Sequence, residues 1–146
     1  MIRKIIGFLN GKRKRKFENR TILFIDDEEK ARQKIEKILT KRKFRVLLSH
    51  DGESGLEIAQ KEKPDLVLLD VVLPGMSGLE VCKRLKSDDL TKNIPVIFIT
   101  GMDTSGNLID CYEYGADDFL SKSTSPSTLI SQIELTLEDY ILASNN

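Results

Sequence analysis

Five residues of this 146-residue chain are of types that could act together on a phosphoryl group: Asp26, Asp27, Asp70, Thr100 and Lys122. Each stands at the end of a short apolar run or just beyond one. Three carboxylates gathered at one place repel one another, so they imply a cation. Hard oxygen ligands left open to water suit Mg2+, which keeps several waters and takes one or two carboxylates plus a phosphate. An ammonium and a hydroxyl opposite them suit the phosphoryl oxygens. A carboxylate can also act as nucleophile and form an acyl phosphate. Asp70 is the best placed for that role, with the other four residues around it. Mg2+ and Lys122 would neutralise the charge that brings it to a phosphate dianion.

That convergence depends on the elements between these residues. Thr21–Ile25 is short, apolar and β-branched, and reads as a buried strand that stops at Asp26-Asp27. Residues 28–41 place Ala31, Ile35, Ile38 and Leu39 at helical spacing. Residues 44–49 read as a second strand, 52–61 as a second helix, and 65–69 as a third strand, apolar throughout. Pro74-Gly-Met-Ser-Gly78 is a loop, and Ser77 with Glu80 forms a capping box for the helix carrying Leu79, Val81, Cys82 and Leu85. Residues 95–99 read as a fourth strand. A weaker helix spans about 105–114, with Gly106 inside it and Gly115 ending it. A fifth strand covers 118–120. A last helix starts at Pro126 and carries a stripe through Leu129, Ile133, Leu137 and Ile141. This alternation predicts an α/β fold, a five-stranded parallel sheet with helices on both faces. Such sheets bind ligands beyond the carboxyl ends of their strands, where all five residues fall.

Composition agrees with one globular domain: 40% of residues are hydrophobic and 32% charged, and no run is apolar for long enough to span a bilayer. Cys82 and Cys111 lack zinc-site spacing and read as reduced, buried thiols of a cytoplasmic protein. His50, the only histidine, reads as a loop residue, so a His-to-Asp relay within one chain is not expected. The zero formal charge is a cancellation. Residues 1–20 carry eight Lys/Arg and one acid, and residues 21–146 carry 15 bases and 22 acids.

Asp26-Asp27, Asp70-Val-Val-Leu-Pro-Gly-Met-Ser-Gly78, Pro95, Thr100-Gly101, Gly115-Ala-Asp-Asp118 and Lys122 together resemble the receiver domain of two-component response regulators. The resemblance covers about 120 residues, Arg20 to Tyr140. It implies a (βα)5, flavodoxin-like sheet in the order 2-1-3-4-5. It further implies that Asp70 takes phosphoryl from a histidine kinase or histidine phosphotransfer protein. Asp27, Asp70 and the Val72 carbonyl would bind Mg2+, with Asp26 acting through water. Thr100 and Lys122 would contact the phosphoryl group, and Phe119 would be the switch aromatic that turns inward as Thr100 moves. The fourth helix, fifth strand and fifth helix would form the output surface. Two departures stand out. Ser123 follows Lys122 where the family usually has proline, so a rearranged loop is expected. Val72 is apolar where many members are polar, so slower loss of the phosphoryl group is expected.

Residues 1–20 are expected to form a basic, partly apolar tail, 21–142 the receiver domain, and 143–146 a C-terminal tail. With no room for a DNA-binding domain, the chain reads as a stand-alone receiver that signals through a protein partner and is not an enzyme. The tail's Ile2, Ile5, Ile6 and Leu9 fall at helical spacing before Lys12–Lys16, which suits a membrane surface or a partner. A pseudo-receiver that binds without phosphorylation is the alternative. A haloacid-dehalogenase-like phosphatase needs D-x-D after the first strand, which Asp26-Asp27 does not supply.

Overall fold

The computed structural model describes residues 16–101 and 110–145. Five strands, β1 (Thr21–Ile25), β2 (Arg45–Ser49), β3 (Leu66–Leu69), β4 (Val96–Thr100) and β5 (Asp118–Ser121), form one parallel sheet in the order β2-β1-β3-β4-β5. The helices between them are α1 (Glu29–Lys41), α2 (Gly52–Glu62), α3 (Gly78–Ser87) and α5 (Pro126–Ser144). Of α4, only the turn at 110–113 lies within the described residues. Gly106 and the expected start of that helix lie outside them.

The strands are covered on both sides, and the two-residue alternation of a strand divides their side chains between two cores. Ile22, Phe24, Leu68, Ile97 and Ile99 face Ile35 and Leu39 of α1 and Leu129, Ile133 and Leu137 of α5. Leu23, Ile25, Val67, Leu69 and Phe98 face Ala59 of α2, Val81, Cys82 and Leu85 of α3, and Cys111 of α4. Both cysteines are therefore buried and unpaired by disulfide, as their periodicity suggested.

Local chemistry sets the helix ends. Asp51 caps α2 by accepting from Ser54 N at 2.8 Å, and Ser125 caps α5 by accepting from Thr128 N at 3.2 Å, with Pro126 in the first turn. Ser77 Oγ accepts from Glu80 N at 3.3 Å, but the Glu80 carboxylate is taken by Arg84 Nε at 3.2 Å, so only half of the expected capping box carries the helix start. Two boundaries differ from the sequence reading. α5 runs to Ser144, past the expected domain end at 142. Phe17, read as part of the tail, is 2% exposed and belongs to the core under α1 and α5. A single aromatic beyond a run of basic residues gives no periodicity, and only the packing reveals it.

Candidate functional site

The sheet register gathers the five residues. Ile25 pairs with Leu69, and Asp70 N donates to Ile25 O at 3.0 Å, so Asp26 and Asp70 leave adjacent strands side by side. Leu69 pairs with Phe98, which sets Thr100 at the same rim on β4. Thr100 pairs with Ser121, and Lys122 N donates to Thr100 O at 3.0 Å, which aims Lys122 back over the rim. Carboxylate oxygens of Asp26, Asp27 and Asp70 all lie within 4.8 Å of one another. Asp26, Asp70 and Thr100 are buried, and Asp27 is exposed.

Lys122 is the cation of this cluster. Its Nζ lies 2.7 Å from Asp26 Oδ2, 3.0 Å from Asp70 Oδ2 and 3.9 Å from Glu28 Oε2. Burial works against its charge, but its close contacts with Asp26 and Asp70 and their charges outweigh that and raise its pKa. Asp26 is pushed up by burial, against the pull of Lys122 and of the Glu28 N–H, with the charge of Asp70 adding to the rise. Asp26 Oδ1 accepts from Glu28 N at 2.8 Å, and Asp70 Oδ1 from Val72 N at 3.2 Å. Asp26 Oδ2, however, is buried with no hydrogen-bond donor aligned on it, so the Lys122 contact there is one of charge. A buried carboxylate oxygen without a directed partner, beside two further carboxylates, fits a hard divalent cation.

Residues with no separate signal in the sequence also shape the site. Arg32, on α1, donates to the Asp26 carbonyl at 2.6 Å and so ties the helix to the β1 end. An arginine in a charged helix face is not distinguishable from a solvated one by pattern alone. Gly78 begins α3 against the backbone of Asp70: a Cβ there would clash with the Asp70 carbonyl oxygen. Its N–H donates to Val71 O at 2.8 Å. The final glycine of the D-x-x-x-P-x-M-x-G run is therefore a contact residue, where loop composition alone had given it no role.

The loop after Lys122 holds its shape without proline. Ser121 Oγ lies 2.8 Å from Ser123 Oγ and accepts from Ser123 N at 3.2 Å, and Thr124 N donates to Ser121 O at 3.0 Å. Every peptide bond described is trans, and Lys122 still reaches both aspartates. Val72 is 54% exposed at the mouth of the site. Phe119 pairs with Phe98 and packs, half-buried, on the core shared by α2 and α3. His50 is exposed, with Nε2 3.1 Å from Asp51 Oδ2 and away from the aspartate cluster.

A buried aspartate at the central strand end, flanked by two more and by a lysine just beyond β5, is the arrangement of a receiver. The family model for the response regulator receiver domain matches residues 22–134, and the chain belongs to that family. The chain is similar to response regulator PleD of Caulobacter vibrioides, 40% identical over 77% of this chain and 25% of PleD. It is 38% identical to the phosphate regulon regulator PhoB of Pseudomonas aeruginosa, over 81% of this chain and 52% of PhoB. It thus spans a quarter to a half of the length of those relatives. Protein PilH of the same organism is 35% identical over 80% of this chain and 96% of its own length. Among solved structures, a CheY-like receiver domain protein of Methanospirillum hungatei superposes with a TM-score of 0.80 at 25% identity, covering 86% of this chain and 99% of that one. The BeF3-activated receiver domain of Klebsiella pneumoniae RstA gives 0.74 at 33% identity, covering 80% and 97%. The chain is a response regulator receiver domain of the two-component class.

Proposed function

We propose that Asp70 is the phosphoacceptor, and that it takes its phosphoryl group from a phosphohistidine on a histidine kinase or a histidine phosphotransfer protein. The observation that carries this reading is Lys122 Nζ lying between Asp70 at 3.0 Å and Asp26 at 2.7 Å, at the rim where three carboxylates meet. An Asp70 oxygen attacks phosphorus as the bond to the histidine nitrogen breaks. Asp26, Asp27, Asp70 and the Val72 carbonyl would hold Mg2+, which would neutralise charge on the transferring group. Lys122 is already on the acceptor carboxylate, so its ammonium meets the new phosphoryl oxygens without a long movement. Thr100, at the end of β4, supplies a hydroxyl on the other side.

The modification adds a group of about −2 charge with three acceptor oxygens. Thr100 and Lys122 gain partners in one conformation and not in the other, so the population shifts. The half-buried Phe119 ring and the surface of α4, β5 and α5 carry that shift to a protein partner.

Incubation with acetyl phosphate and Mg2+ adds one phosphoryl group by intact mass. Chelation of Mg2+ or the Asp70→Asn substitution abolishes the gain. An unchanged gain in Asp70→Asn contradicts the reading. Val72, apolar and exposed beside the acceptor, hinders the hydrolytic water. The phosphoryl lifetime therefore shortens in Val72→Asn, measured by the decay of the phosphorylated mass, and an equal or longer lifetime contradicts this role.

A further inference from the structure

One face of α1 is lined with lysine. Lys30, Lys34, Lys37 and Lys41 fall at spacings of four, three and four, the repeat of one helix face over three turns. All four are exposed, and none forms an ion pair among the described residues. The nearest acids are placed elsewhere. Glu29 and Glu36 share a different stripe of the helix with Gln33, which donates to Glu29 Oε1 at 3.3 Å. Glu134 of α5 is held by Arg42 at 3.1 Å, and Glu28 lies 3.9 Å from Lys122. Like charges three and four apart oppose a helix, and Lys30 also sits in the first turn, at the positive end of the helix dipole. The stripe therefore works against α1 when nothing lies on it.

The lysines form one bank of a groove. Two clefts follow one another along α1, with volumes of about 230 and 350 Å3. Lys30 and Lys34 edge the first, nearer the aspartate rim, over Phe24, Ile35 and Ile99. Lys37 and Lys41 edge the second, whose floor and far bank are Ile38, Pro126 and Ile130. A flat anionic surface would not reach these apolar floors, and a phosphate backbone would gain nothing from them. A helix suits both features, because acids on one stripe meet the lysines while the apolar residues beside them enter the clefts. From Lys30 to Lys41 the stripe runs roughly 16 Å along the axis, about three turns of a partner helix.

We propose that the groove between α1 and α5 seats an acidic amphipathic helix of a protein partner. Its Asp or Glu side chains, at the same spacing of three and four, pair with Lys30, Lys34, Lys37 and Lys41. Its adjoining apolar face lies over Ile38, Pro126 and Ile130. This contact needs no phosphoryl group on Asp70.

The test is fluorescence anisotropy of the full chain with a labelled helical peptide of about 20 residues. The peptide carries Glu at four positions with the lysine spacing and Leu on the adjoining face. Binding is expected, weakens as salt rises, and shifts the amide resonances of α1 and of residues 126–130. Lys34→Glu/Lys37→Glu lowers the affinity about ten-fold, and a peptide with Lys at the two facing positions restores it. Lys61→Glu/Lys63→Glu, at the end of α2, leaves the affinity unchanged. Both variants keep the wild-type circular dichroism, which shows that they are folded. No binding by the wild-type chain, equal binding of a peptide with the same residues scrambled, or wild-type affinity in Lys34→Glu/Lys37→Glu overturns the proposal. Displacement of the peptide by duplex DNA at equal charge also overturns it, in favour of nucleic acid.

Discussion

Asp26 marks the conflict within the site. It is wholly buried, its carboxyl is pushed up by burial, and one of its oxygens has no aligned donor. Lys122 offsets part of this by lying against both buried aspartates, but it brings one positive charge to three carboxylates. Asp26→Asn removes one of the repelling charges. It is expected to stabilise the metal-free chain by on the order of 1 kcal/mol and to abolish most of the stabilisation that added Mg2+ provides. Thermal unfolding with and without Mg2+ reads both effects, and a destabilised Asp26→Asn contradicts the charge argument. At this scale the site was largely legible in the sequence. A polar residue that stops an apolar strand is visible as a break in pattern, and the fold brings such breaks to one rim. Arg32 and Gly78 were not legible, because one acts through a backbone carbonyl and the other through the absence of a Cβ.

Among the elements, the junction of α3, β5 and α5 rests on a small polar cluster. Lys86 Nζ donates to Ile94 O at 2.8 Å, to Asp117 Oδ2 at 3.1 Å and to Tyr140 Oη at 3.1 Å. Tyr140 Oη in turn donates to Asp117 Oδ1 at 2.7 Å, and Asp117 Oδ2 accepts from Val96 N at 2.8 Å. Burial first, then the Asp117 bond and charge, raise the Tyr140 phenol above its ordinary 10.0. The folded state therefore holds a proton that the unfolded state releases above pH 10, so stability falls as pH rises beyond that point. Tyr140→Phe is expected to cost about 1 kcal/mol at pH 7, through the lost bond, and to flatten the alkaline decline. Urea unfolding at pH 7 and above pH 10 checks this, and an alkaline decline as steep in Tyr140→Phe contradicts it. The order of strands and helices was legible from alternation and capping residues. This junction was not, since Lys86, Asp117 and Tyr140 lie far apart in the chain and no pattern in the sequence pairs them.

For the molecule as a whole, the balanced charge conceals two poles, an acidic rim where Asp26, Asp27 and Asp70 meet and a basic end where the segment before β1 joins the body. Phe17 makes that join part of the fold. Phe17→Ala is expected to lose about 3–5 kcal/mol by urea unfolding, as for an aromatic removed from a core, whereas a solvated tail residue would lose almost nothing. If Asp70 takes the phosphoryl group as proposed, the acyl phosphate can be read at that position. Borohydride reduces an aspartyl phosphate to homoserine. After phosphorylation, reduction and proteolysis, peptide mass spectrometry is expected to find homoserine at position 70 and nowhere else. Homoserine at position 26 or 27, or a phosphoryl group that survives reduction on a serine or threonine, contradicts the account.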